Sequence, residues 1–327
     1  MPFTGTTTLW EGRIMAQRGC KPLVLLGCLL LTSLLITAEA SPWGSATHAY
    51  IDDHLGANRP VRNANEIYGG MAPDVFNYLF DHPDRLQFLY AQSHNNFMRL
   101  WDVAHRPLGR SVAFGFVSHN DVWGADSTAH HQCVRCNTPY GYVIAKAQEM
   151  VSLAPLSGLG IPDAVALEVH HNVVESAVDL LIRRQDPHVG QKITAGALLR
   201  SPEFPLILAE AYARDFSDQF GLTRAAAVKT IVGEEMKFRR MMIQYGQVLM
   251  QDDETAMQLV AEQLADQATT YLGSFGVILP LEPSEVVELA KQFLGIAMQL
   301  CEPDYAQEIH ATIHAVDHAL HTHGIRY

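Results

Sequence analysis

The 327-residue chain has little of several things that would classify it quickly. It holds only five cysteines, and two of them, Cys20 and Cys28, fall within the first forty residues. The three that remain, Cys133, Cys136 and Cys301, are too few for a four-cysteine zinc ribbon. Basic residues are scarce as well, with 23 Lys and Arg against 35 Asp and Glu and a formal charge of −12. The first forty residues carry +1 (Arg13, Arg18 and Lys21 against Glu11 and Glu39), which leaves −13 on the rest. So acidic a surface opposes unaided binding of nucleic-acid phosphates or anionic membranes, unless bound divalent ions reverse the charge locally. Neither a Gly-x-Ser-x-Gly elbow nor a His-Glu-x-x-His pair is present, which removes the usual serine-lipase and zincin chemistries. From about residue 191 onward there is no strong strand signal, and helical patterns follow one another to the end.

What is present begins with an apolar run from Leu23 to Ile36, preceded by Arg18 and Lys21 and followed by Ala38-Glu39-Ala40. Basic residues, an apolar stretch and small residues at the two positions a signal peptidase reads predict a signal peptide over residues 1–40. Cleavage is expected after Ala40, and Met15 begins a more conventional signal than Met1. The protein is therefore expected to be exported, periplasmic or secreted. An oxidising compartment favours a disulfide, either Cys133 with Cys136 or one of them with Cys301. At 48% hydrophobic and 18% charged, the chain is globular and long enough for one large domain or two smaller ones.

All 16 histidines lie after residue 40, and they cluster. The densest window runs from Gly115 to His131 and holds His119, Asp121, Asp126, His130 and His131. If residues 119–130 form one continuous helix, about 100° per residue brings His119, Asp126 and His130 onto one face, whereas a loop or bulge at Trp123-Gly124 in the seven-residue gap after His119 would reset the phase. Imidazole and carboxylate are ligands that zinc accepts, and a carboxylate between two histidines can bridge neighbouring ions. The plain alternative is a polar helix surface with one satisfied histidine. A second pair, His171 and Glu175, stands four apart on an apolar helical pattern over 163–182. A buried carboxylate one turn from an imidazole needs a partner, either a metal or that histidine itself. Weaker alone are His48, at a short helix that Thr47 is placed to cap, Asp74 in a glycine- and proline-marked turn over 68–76, and His94 within a helix over 85–105. His82 and His105 read as surface residues. Further helices are expected over 142–153, 203–220, 223–250, 254–272, 283–300 and 304–321, giving an all-α chain. On the last helix His310, His314, His318 and His321 share one face, a solvated surface or an accessory metal site.

Collected in order, these elements read Trp43-Gly-x-x-Thr47-His48, Asp74, His94, Gly115-x-x-Ser118-His119, Ala125-Asp126-x-x-x-His130 and His171-x-x-x-Glu175. Their joint order resembles the zinc-dependent phospholipase C family, in its bacterial phosphatidylcholine-hydrolysing branch, over roughly residues 43–180. That family shares an all-helical fold and a trinuclear zinc site with secreted single-strand-specific nucleases. The resemblance implies a catalytic core over 41–200 and a C-terminal helical region over 201–327 packed on or continuing it. It implies three Zn2+: one held by Asp74, His94, His119 and a bridging Asp126, a second by His130, His171 and Glu175, and a third by His48, Asp126 and the backbone at Trp43. Asp74 would orient or deprotonate the attacking water. His119 and Asp126 stand seven apart where the family usually has four, and Asp121, His82 and His170 are the neighbouring competitors of Asp126, His94 and His171. The expected reaction is hydrolysis of phosphatidylcholine-like lipid at a membrane or micelle interface to diacylglycerol and phosphocholine, without stable nucleic-acid binding. The alternatives are a zinc-dependent nuclease or other phosphodiesterase, and a secreted metal-binding helical protein with no enzymatic role.

Overall fold

The computed structural model describes residues 43–56, 60–79, 82–136, 138–274 and 276–326. The signal peptide expected over 1–40 lies outside the described residues. Among the described residues the chain is all-helical, with α1 (Ser45–Gly56), α2 (Pro60–Met71), a 3-10 turn (Ala72–Phe76), α3 (Pro83–Asn95), α4 (Met98–Val103), α5 (Pro107–His119) and α6 (Ala125–His130) leading. Then come α7 (Tyr142–Leu153), a second 3-10 turn (Ser157–Leu159), α8 (Asp163–Gln185), α9 (Val189–Leu199), α10 (Phe204–Phe220), α11 (Arg224–Leu249), α12 (Asp253–Ser274), α13 (Pro283–Cys301) and α14 (Tyr305–Thr322). None of these helices is long and apolar enough to cross a membrane. One apolar core runs from Trp43 to Ile325 and so includes helices from both the 41–200 and the 201–327 segments.

Local signals explain many of the boundaries. Proline opens α3, α5 and α13, where its missing N–H costs nothing. A capping box formed by Glu282 and Glu285 starts α13, and the Thr223 hydroxyl accepts from the Ala226 N–H at the start of α11. Gly221, at φ 62°, ends α10 in the left-handed region that glycine enters without strain.

The segment over 68–76 departs from the turn expected there. Gly69 and Gly70 lie inside α2 because two helix backbones touch at this point. A Cβ on Gly69 would sit 2.1 Å from the Val112 carbonyl oxygen of α5, and one on Gly115 would sit 2.0 Å from that of Glu66. Helix α5 is buried around nearly its whole circumference, as a helix apolar on all sides must be. Its crossing with α2 carries His119 to a fully buried position. Two further expectations are corrected. The 85–105 helix is broken at Asn96 into α3 and α4, and α1 starts at Ser45, so Thr47 lies inside it rather than capping it.

Deeper in the core, Glu235 of α11 is fully buried. It accepts from the Tyr68 hydroxyl at 2.8 Å and from Arg200 at 3.0 Å. Removing one member of such a pair strands the other, which costs far more than an exposed ion pair is worth. Arg200→Met is expected to lower unfolding stability by about 3–5 kcal/mol in urea titrations at neutral pH. A change within about 0.5 kcal/mol would show that the pair does not hold α9 to α11.

Candidate metal centre

Four segments deliver the central carboxylate and its imidazoles. His119 is the last residue of α5, and the chain does not continue as a helix from there to residue 130. Asn120 leaves helical geometry at ψ 154°, and its side-chain oxygen accepts from the backbone N–H groups of Val122 and Trp123, each at 2.9 Å. Gly124 closes the turn: a Cβ there would lie 2.5 Å from the Ser118 carbonyl oxygen and 2.6 Å from that of Asn120. Helix α6 then restarts at Ala125. The seven-residue separation of His119 and Asp126 is thus spent on a turn that folds α6 back, and the continuous helix expected over 119–130 is replaced by helix, turn and helix.

The result is one buried constellation. His119 Nε2 lies 2.9 Å from Asp126 Oδ2, His94 Nε2 lies 3.4 Å from the same oxygen, and His48 Nε2 lies 3.1 Å from Asp126 Oδ1. Asp74 Oδ1 lies 3.4 Å from His94 Nε2 and 3.8 Å from His119 Nε2. A further group joins His130, whose Nε2 is 3.1 Å from His171 Nε2, with Glu175 Oε1 2.7 Å beyond. Three sets, His48/His119/Asp126, Asp74/His94/His119 and His130/His171/Glu175, each hold their ligand atoms within 4.8 Å of one another. Asp121, Asp126 and His130 form a fourth such set, so the groups share members and run into each other.

Eight of the nine residues expected from sequence are brought together by their side chains. Trp43 differs. Its indole is buried against the Tyr142 ring and donates to the Ala125 carbonyl at 3.0 Å, so it anchors the segment that leads into α1 beside α6. Of the neighbouring competitors, His170 turns away and places Nε2 2.8 Å from the Ala154 carbonyl oxygen, and His82 is exposed at the start of α3. The Cys133–Cys136 disulfide is formed, and Cys301 is free and buried.

The chemistry of the donors fits a cation. His94 Nδ1 is 3.0 Å from the Tyr90 carbonyl oxygen, His119 Nδ1 is 2.6 Å from that of Gly70, and His130 Nδ1 is 3.5 Å from Asp121. Each ring is therefore held through Nδ1 and presents Nε2 inward, the orientation in which metal-ligating histidines are usually fixed. Both Asp126 oxygens and both His48 nitrogens are buried without a hydrogen-bond donor or acceptor to satisfy them. Unpaired buried polar atoms of this kind are costly unless something else completes them. Burial pushes the Asp126 carboxyl well above the usual range, and it pushes His48, His119 and His130 down, the last to about 4. At neutral pH these three imidazoles are therefore neutral and their lone pairs are free for a ligand. Burial would lower His171 too, but Glu175 and hydrogen bonds to Glu168 and Glu175 outweigh it and raise the ring to about 10. In the metal-free chain the His171–Glu175 pair thus holds a proton.

Asp179, one turn beyond Glu175 on α8, carries no signal of its role in the sequence. Its carboxylate accepts from the Ala46 N–H at 2.9 Å, the Thr47 N–H and hydroxyl at 2.8 Å each, and the Tyr245 hydroxyl at 2.7 Å. It caps α1 from another helix, satisfying N–H groups that a helix start leaves unpaired. A Cβ on Gly44 would lie 2.5 Å from the Asp179 Cγ, so the glycine and threonine of Trp43-Gly-x-x-Thr47-His48 both serve this contact. The helix that carries His171 and Glu175 is thereby tied to the helix that carries His48. Comparison with protein-family models, with curated proteins and with solved structures finds no match.

Two outcomes are expected. Asp179→Asn, which turns donors toward the N–H groups of α1, is expected to weaken retention of divalent metal about 10- to 100-fold, read as metal content after dialysis against graded chelator. Tyr245→Phe, which removes one of four hydrogen bonds, should cost less, and equal losses would sink the capping account. Because His171 is protonated below about pH 10, loading a divalent cation near pH 7.5 should release about one proton from this pair. Affinity should then fall about tenfold per pH unit for that proton as the solution is acidified below about pH 10. Calorimetry in buffers of different ionisation enthalpy reads the release, and a release of zero would contradict the protonated pair.

Proposed function

We propose that the chain is an exported zinc-dependent phospholipase C that hydrolyses the glycerol-side phosphodiester bond of phosphatidylcholine-like lipids. The observation that carries this reading is the convergence of Asp74, His94, His119, Asp126, His130, His171, Glu175 and His48 from five separate stretches into one buried constellation. Their identities and order are those on which the resemblance to the zinc phospholipase C family rests. Three His/carboxylate sets suit three ions of the zinc type, with His48 and His119 meeting at Asp126 as the natural bridge.

Divalent cations bound to such donors neutralise a phosphodiester's growing negative charge and lower the pKa of water toward about 7. The chain's own residues supply the rest. Asp74 is buried, and Asn77 donates to its Oδ1 at 3.0 Å, which fixes the carboxylate beside His94 and His119 to orient the attacking water and take its proton. Attack at phosphorus forms one P–O bond and breaks the bond to the glycerol oxygen. The departing diacylglycerol alkoxide gains a proton from solvent and phosphocholine is released. The acidic surface, at −12 for the chain, suits a short zwitterionic head group better than a polyanionic strand. Val122, Val134 and Tyr140 are 57%, 44% and 44% exposed; Val122 directly follows Asp121, and Val134 and Tyr140 lie in the segment between the His130-His131 pair and α7. Apolar residues at such positions favour a lipid over a polynucleotide.

The test is zinc content of the purified chain, followed by chelator-sensitive release of phosphocholine from phosphatidylcholine vesicles beside digestion of single-stranded DNA. Asp126→Asn is expected to lower phosphocholine release at least about 100-fold, because it alters the carboxylate on which three imidazoles converge. A chain that takes up no zinc, or an unaffected rate in Asp126→Asn, would overturn the reading. Hydrolysis of DNA without hydrolysis of lipid would replace the lipase with a nuclease on the same residues.

A further inference from the structure

Helix α14 has an inward and an outward face with different duties. Inward, the Glu308 carboxylate accepts from the N–H groups of Val134 at 2.7 Å and Arg135 at 2.8 Å, and the Thr312 hydroxyl lies 2.9 Å from that of Thr128 on α6. Just past its end His323 stacks on Trp123, with centroids 4.7 Å apart, in the turn between His119 and Asp126. The last helix is therefore a brace against the segments that carry Asp126 and His130.

Outward stand His310, His314, Asp317, His318 and His321, all exposed. At about 100° per residue these five positions occupy an arc of roughly 100°. The His310 and His314 rings already meet, with centroids 4.5 Å apart and planes at 74°. His321 Nδ1 lies 2.8 Å from the Asp317 carbonyl oxygen and 3.6 Å from Asp317 Oδ1, which fixes that ring as well. No Lys or Arg occurs within α14, so nothing on the helix repels a cation. Solubility alone asks only for polar side chains, which Lys, Glu or Gln would supply. Imidazoles at successive four-residue steps add a specific capacity: both rings of a pair reach one ion from a backbone that is already ordered, so the second bond costs little further entropy.

We infer that His310 and His314, extended along the same face by His318 and the Asp317/His321 pair, form a second and exposed metal site. It takes a divalent transition ion that prefers imidazole, of the zinc, nickel or copper type. An ion held across one turn clips the helix and so steadies the brace that α14 provides. The ligands are distinct from every residue of the buried constellation, and the inference stands whatever reaction that constellation performs.

The probe is Ni2+. The full chain is saturated with zinc, stripped of exposed zinc by brief treatment with a mild chelator and gel filtration, and titrated with nickel by calorimetry beside a His310→Ala/His314→Ala variant. The unaltered chain is expected to take about one further equivalent. It should also be retained on nickel-charged chelating resin and melt at a higher temperature as nickel is added, since an ion that binds the folded state stabilises it. The double variant should lose the extra equivalent, the retention and the thermal shift, and keep its helical circular dichroism and buried zinc. A double variant that binds nickel as the unaltered chain does would overturn the inference, as would an unaltered chain that takes up none. Both chains share every buried ligand, so their difference reads the surface site even if zinc fails to enter the buried one.

Discussion

The carboxylate of Asp126 is the constraint around which the rest is built. It is fully buried, has imidazole nitrogens of His48, His94 and His119 within 3.4 Å, and receives a hydrogen bond on neither oxygen. An isolated buried carboxylate is among the most expensive groups a protein can hold, and neutral imidazoles offer it little compensation. A proton relieves the cost, which is why burial drives this carboxyl upward, and a cation relieves it while using the lone pairs of the imidazoles too. The donor set is thus expensive without a cation and well matched to one.

Holding such a set together requires scaffolding that tolerates no slack. The α2 and α5 backbones meet at Gly69 and Gly115, and that contact brings the Gly70 carbonyl oxygen within 2.6 Å of His119 Nδ1. Gly124 permits the turn that returns Asp126 to His119, and Asp179 fastens α1 to α8 through four hydrogen bonds. Each device fixes a ligand through its backbone or its second nitrogen. The ligands' inward atoms stay free, which is how outer contacts set metal affinity without touching the metal.

The same physics decides what could be seen in the sequence. Side chains that carry the chemistry were legible because imidazoles and carboxylates at helical spacing stand out against apolar surroundings, as His171 and Glu175 do on α8. Helices α7 and α10 to α14 were legible to within a residue or two because proline, glycine and capping residues punctuate them. Gly69 and Gly70 were misread because glycine serves a turn and a close helix crossing equally well, and the partner at the crossing is more than forty residues away. In the 119–130 window the break at Trp123-Gly124 was legible from the seven-residue gap, but its form was not, because periodicity registers side-chain spacing and is blind to Asn120 bonding the backbone ahead of it. Asp179 left no signal, since its meaning lies in Ala46 and Thr47, over 130 residues distant. Helix α9 was missed because its small and β-branched residues resemble a loop until Gly196 packs against Ala64 and Ile67 of α2.

Net charge bears on substrate more sharply once the site is in view. A protein of −12 repels a long polyanion over its whole surface, whereas a single phosphodiester meets only the field at its point of entry. Cations held by the buried carboxylates would invert that local field without altering the distant one, and screening confines the distant repulsion to about 8–10 Å at ordinary salt. A short head group at the end of a neutral lipid therefore pays almost none of the electrostatic cost that a nucleic acid would meet along its length. Under the proposed phospholipase reading, the acidic exterior would therefore favour a short head group over a polynucleotide independently of the buried donor set.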